Sequence, residues 1–168
     1  MPLILAIDDR EDNLITLRAL LKQYFDDAEI VTCLSPLDGV KKAEEIQPDL
    51  VIVDYIMPEI DGIEVCRILR GNSKTSSIPV ILVTASDTAS HNRIAGLEAG
   101  ADAFLAKPVD EAELAAQVKS MLRIKKSEDL LRDRNRQLKR FLEIIVESSD
   151  EAIIGVTLDA EIVSWNSS

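Results

Sequence analysis

Asp8-Asp9, Asp54, Thr84 and Lys107 are the residues best placed to do chemistry together, because each stands at the end of a different short apolar run. Left alone, three carboxylates brought to one place would repel, and at least one would keep its proton. A hard divalent cation resolves that conflict, and Mg2+ suits an oxygen-only set that leaves room for waters and a phosphate. Asp54 is then the candidate nucleophile. A carboxylate can take a phosphoryl group as an acyl phosphate, and it is already ionised at neutral pH. Lys107 would neutralise charge on the transferring oxygens, and the Thr84 hydroxyl would hydrogen-bond the phosphate on arrival. Each residue alone has a plainer reading. A single Asp after a strand is usually a turn or helix cap, and a Lys-Pro step says almost nothing. Their joint placement carries the chemistry.

The elements that must position them alternate. Leu3 to Ile7, Ile30 to Thr32, Leu50 to Val53, Pro79 to Val83 and Ala103 to Leu105 read as strands. Helical spacing of apolar residues is expected over Leu14 to Tyr24, Leu37 to Ile46, Ile63 to Leu69, Ser90 to Ala99 and onward from Asp110. Near-continuous apolar strands separated by helices of about three turns predict an α/β fold, a doubly wound parallel sheet covered on both faces. In such folds the active crevice lies beyond the carboxyl ends of the strands, so the five polar residues should meet along one edge.

No Pro or Gly interrupts the chain from Asp110 to about Glu147, which predicts one extended C-terminal helix. Met121, Ile124, Leu131, Leu138, Leu142 and Ile145 follow alternating three- and four-residue steps, with Glu128 and Asn135 at the remaining seam positions. A single Asn in such a seam fixes register in dimers, so a parallel homodimeric coiled coil through residues 121–145 is expected. The alternative is a solvated linker helix. After Ser148-Ser149, Ala152 to Val156 and Glu161 to Trp165 read as two strands joined by a turn, too little chain to bury a core alone. The expected organisation is a domain over 1–122, a helical linker over 123–147 and the opening fragment of another domain over 148–168.

The net charge of −11 argues against nucleic acid as a partner of the whole, although eight basic residues oppose three acidic ones between Arg123 and Arg140. No apolar run reaches the roughly 18 residues of a membrane span, and the start lacks the marks of a secretory signal. A cytoplasmic segment without membrane contact is expected. Cys33 and Cys66 suggest neither a disulfide framework nor a zinc site, and His91 reads as ordinary surface.

Taken together, Asp8-Asp9, Asp54 within Asp-Tyr-Ile-Met-Pro-Glu-Ile-Asp-Gly, Val83-Thr84-Ala85 and Ala106-Lys107-Pro108 closely resemble the response-regulator receiver domain of two-component signalling, over residues 3 to about 122. The resemblance implies a flavodoxin-like sheet of order 2-1-3-4-5. It implies that Asp54 accepts phosphate from a phosphohistidine on a histidine kinase or histidine phosphotransfer protein. It also implies Mg2+ held by Asp9, Asp54 and the backbone carbonyl of Ile56, with Asp8 acting largely through water, and a cis peptide between Lys107 and Pro108. Phosphate would draw in Thr84, and Phe104 would fill the vacated space as the switch residue, where a permanently buried core ring is the alternative. Ile56 and Ser86 occupy positions that tune phosphate loss in this family. Residues 141–166 resemble the opening of a PAS sensor domain, for which no ligand or organic cofactor can be inferred. The implied parent is a multidomain signalling protein whose output is a histidine kinase or another effector, so enzymatic activity beyond self-phosphorylation stays open. Two other classes compete. A haloacid-dehalogenase-type phosphatase would need an Asp-x-Asp motif, which Asp8-Asp9-Arg10 does not supply. An assembly module that is never phosphorylated would be marked by a broken acidic pocket.

Overall fold

The computed structural model describes residues 1–85, 89–148, 154–156 and 162–165. Five strands, β1 (Leu3–Ile7), β2 (Glu29–Cys33), β3 (Leu50–Asp54), β4 (Val80–Ala85) and β5 (Ala103–Lys107), form one parallel sheet in the order β2-β1-β3-β4-β5. This is the flavodoxin-like arrangement. The helices between them are α1 (Glu11–Tyr24), α2 (Pro36–Ile46), α3 (Gly62–Gly71) and α4 (Ala89–Glu98), and α5 (Glu111–Glu147) follows β5.

Side chains alternate across a strand, so each apolar run supplies two cores. Leu5, Ile7, Val51, Val53 and Leu82 pack with Ala43 of α2, Val65, Cys66 and Leu69 of α3, and Ala99 beyond α4. Ile4, Ile30, Leu50, Ile52, Ile81 and Leu105 pack with Leu21 of α1 and with Leu114 and Val118 of α5. Because both faces are covered, β3 is buried along its whole length, which is why the sequence shows no polar alternation there. Burial also pushes the Cys66 thiol up to about 12, so it is an inert core group.

Strands β4 and β5 run farther than their apolar residues suggest. Thr84 pairs with Ala106 and Ala85 with Lys107, so Thr84 and Lys107 lie within the sheet rather than after it. The ladder continues because backbone groups, not side-chain polarity, decide where pairing stops. A tight loop then leads from Asp54 into α3. Gly62 N–H donates to the Tyr55 carbonyl at 3.0 Å, and the Asp61 carboxylate caps α3 by accepting from Glu64 N–H at 2.8 Å. A Cβ on Gly62 would strike the Asp54 carbonyl and the Leu82 side chain, so glycine is required where this loop folds onto the nucleophile's own backbone. Glu59 in the same loop has φ 71°, a left-handed conformation that costs a non-glycine residue roughly 1 kcal/mol.

The chain divides into two compact units, Met1–Lys125 and Lys126–Ser168. In the second, Leu130, Leu131, Leu138, Phe141, Leu142 and Ile144 are all more than half exposed. Strands β6 (Ile154–Val156) and β7 (Ile162–Trp165) pair antiparallel there, while the expected turn at 158–160 lies outside the described residues. No helix among the described residues is long and apolar enough to cross a membrane.

Candidate active site

The strand order reverses at β1 and β3, and the residues that end these two strands face the crevice this creates. Asp8 follows β1 and Asp54 closes β3. Both are buried, while Asp9 is exposed at the mouth. Carboxylate oxygens of Asp8, Asp9 and Asp54 lie within 4.8 Å of one another. From the end of β5, the Lys107 ammonium reaches back to Asp54 Oδ1 at 2.6 Å and to Asp8 Oδ2 at 3.1 Å. The Lys107–Pro108 peptide is cis. A cavity of about 330 Å3 opens here, lined by Asp8, Asn13, Asp54, Lys107 and Pro108 among others.

Electrostatics follow from this crowding. Burial raises the Asp54 carboxyl above its ordinary range and the Asp8 charge adds to the rise. The hydrogen bond and charge of Lys107 and the Tyr55 backbone N–H offset only part of it. For Lys107 burial pulls downward, but hydrogen bonds and charge contacts with Asp54 and then Asp8 outweigh it and hold the ammonium above its usual value. One lysine thus leaves the three acidic groups short of positive charge. The donor set is all oxygen, partly open and anionic, which fits a hard divalent cation better than zinc or copper.

Thr84 is almost fully buried in β4, one residue beyond Val83, which pairs with Asp54. Ile56 sits two residues after Asp54 and is 61% exposed. Phe104 is buried against α4: a Cβ on Gly96 would fall 2.6 Å from the ring tip, so the ring occupies the space a side chain would take there. Ser86 lies outside the described residues, and His91 falls in α4 with its side chain equally undescribed.

One site residue escapes sequence reasoning. Asn13, on the first turns of α1, donates its amide to both oxygens of Asp8, at 3.0 and 2.9 Å. The only signal was its offset of five residues from Asp8, which places it over the site once Arg10 starts the helix.

Comparison with known proteins gives the same reading. The family model for the response regulator receiver domain matches residues 4–119. The response regulator PleD of Caulobacter vibrioides is 40% identical over 138 residues, covering 82% of this chain but 30% of its own length. The phosphate regulon transcriptional regulatory protein PhoB of Rhizobium meliloti is 36% identical over 160 residues, covering 94% of this chain and 69% of its own. Among solved structures, the receiver domain of the sensor histidine kinase PA1611 from Pseudomonas aeruginosa was determined with a magnesium ion coordinated in its active-site cleft. It superposes with a TM-score of 0.65 at 26% identity, over 72% of this chain and 97% of that one. With the β2-β1-β3-β4-β5 sheet and the acidic crevice at its switch point, these matches establish that the chain belongs to the response regulator receiver domain family of two-component signal transduction.

Proposed function

We propose that this chain accepts a phosphoryl group from a phosphohistidine of a histidine kinase or histidine phosphotransfer protein onto Asp54, and relays the change through α5. The observation that carries this reading is the Lys107 ammonium spanning Asp54 and Asp8 beside a third carboxylate. An Asp54 oxygen attacks phosphorus, the N–P bond breaks, and its electron pair returns to the imidazole. No proton has to leave Asp54. Asp9, Asp54 and the Ile56 carbonyl would hold Mg2+ directly, and Asp8 through water. Bound there, the ion supplies positive charge to the transferring oxygens. Lys107 neutralises a further oxygen, Thr84 receives the phosphate by hydrogen bond, and Phe104 responds to the movement of Thr84. Incubation with a small phosphoramidate and Mg2+ should add one phosphoryl group per chain, labile to hydroxylamine and absent in EDTA. Steady turnover of phosphoesters without labelling would favour the phosphatase reading. Neither labelling nor turnover would favour an assembly module.

The run from Ile145 to Asn166 and the β6–β7 pair agree with the start of a PAS domain feeding a larger output, and PA1611 gives one precedent of a receiver within a sensor histidine kinase. The exposed seam residues Leu131, Leu138, Leu142 and Ile145 favour pairing of two chains through residues 121–145. The acidic balance favours protein rather than nucleic acid as the partner. Sedimentation should find a dimer for the full chain and a monomer when it is cut after Lys125. A monomer in both cases refutes the coiled coil.

A further inference from the structure

A carboxylate can accept about four hydrogen bonds, and in Asp8 each has a named donor. Oδ1 accepts from Arg10 N–H at 2.9 Å and from Asn13 Nδ2 at 3.0 Å. Oδ2 accepts from Asn13 Nδ2 at 2.9 Å and from Lys107 at 3.1 Å. The Asn13 amide can only present its NH2 group here, because its carbonyl oxygen would repel the carboxylate at these distances. The three donors differ in what else they do. Arg10 engages Oδ1 alone. Lys107 is shared with Asp54, and its charge is needed on the phosphoryl group once transfer begins. Mg2+ would also repel the ammonium from Oδ2, freeing that position for a metal-bound water, and Asn13 is then the donor that keeps the oxygen in place.

We propose that Asn13 is a positioning residue for the metal site: it locks the Asp8 carboxylate in the orientation that serves the ion, and so raises the affinity for Mg2+. The inference rests on the phosphoacceptor reading. Neighbours that orient direct ligands of a metal are typically worth 10- to 100-fold in affinity. Asp8 acts one step further out, through water, so the lower end of that range applies to Asn13, which holds both oxygens of the carboxylate. Its place on the first turns of α1 fixes the backbone that carries the amide, and the two bonds to Asp8 hold the amide itself.

The test is Mg2+ titration of the full chain by calorimetry, with no phosphodonor present. Asn13→Leu, of similar size but without a donor, should raise the Mg2+ Kd about tenfold. Asn13→Ser, which keeps a donor too short to span both oxygens, should fall between and guards against a misfolded leucine variant. Lys74→Gln, which breaks an exposed ion pair with Glu44 outside the crevice, should leave the Kd unchanged. A merely structural Asn13 would lower thermal stability in EDTA and leave the Kd within twofold of wild type for both substitutions, and that result overturns the inference alone. A wild-type chain that binds no Mg2+ overturns the phosphoacceptor reading and this inference with it.

Discussion

A chain carrying Asp54→Asn is expected to take up no phosphoryl group from any donor and, when free of metal, to be more stable than its parent at neutral pH. The first half follows from the nucleophile. An amide oxygen carries no full charge to place on phosphorus, while the side-chain shape is retained and the Asp54 backbone carbonyl that Gly62 folds onto is untouched. Labelling should fall by at least about 10^3-fold, equivalent to roughly 4 kcal/mol at the transition state. Retained labelling at another residue would remove Asp54 from its role.

The second half follows from the sign of the Asp54 shift. Burial lifts its carboxyl above the ordinary 3.8, and the Lys107 contact does not undo this. Between that value and the raised folded value, the folded chain binds more protons than the unfolded one, so stability falls as pH rises through the window. Above the raised folded value the full deficit is present, and below the unfolded value it is absent. Asparagine has no such deficit. Urea denaturation in EDTA should therefore rank Asp54→Asn above the parent at pH 7, with that advantage gone near pH 3. Saturating Mg2+ should reverse the order at pH 7, because an ion at a hundredfold over its Kd stabilises the parent by about 2.7 kcal/mol. Equal stability in EDTA at both pH values would show that the crowded carboxylates cost nothing.

How much of this was legible before the structure depends on which physical signal carries it. The sheet was, because a strand buried on both faces must be apolar throughout, and Leu50–Val53 has no other reading beside its turn residues. The acidic crevice was, because strand order in doubly wound folds puts strand-end groups together, and Asp8, Asp54 and Lys107 do meet. Strand ends were less so: Thr84 and Lys107 lie inside β4 and β5, since the ladder is a backbone property. Asn13 and Arg70 were invisible as partners, because a polar residue on a helix reads as solvated until the chain shows what lies opposite. Asn13 finds Asp8 from five residues away, and Arg70 finds Asp102 across 32.

Arg70 carries the largest expected effect on stability. From the last turn of α3 it donates to the Ser76 and Ile78 carbonyls at 3.0 and 2.7 Å, to the Gly100 carbonyl at 2.9 Å and to Asp102 Oδ2 at 2.6 Å. The same Asp102 oxygen accepts from Val80 N–H at 2.7 Å, so a single guanidinium ties the entries to β4 and β5 together. Gly100, at φ 95°, lies so close to the Arg70 stem that a Cβ there would collide with it. Arg70→Met keeps the apolar stem and strands three carbonyls and a carboxylate. Water reaches part of the cluster, since the Arg70 side chain is 24% exposed, so the loss should be about 3 kcal/mol rather than the full sum of charged bonds. For a domain of this size that lowers Tm by roughly 10 °C. Arg70→Lys should recover little, because a point charge cannot reach carbonyls on two loops as a planar fork does. All of these contacts lie at the amino-terminal edge of the sheet, opposite Asp54. Below the transition, phosphoramidate labelling of Arg70→Met should therefore proceed as in the parent. A loss under about 1 kcal/mol, or full recovery by lysine, would mean that surface charge rather than the four-way tie accounts for Arg70.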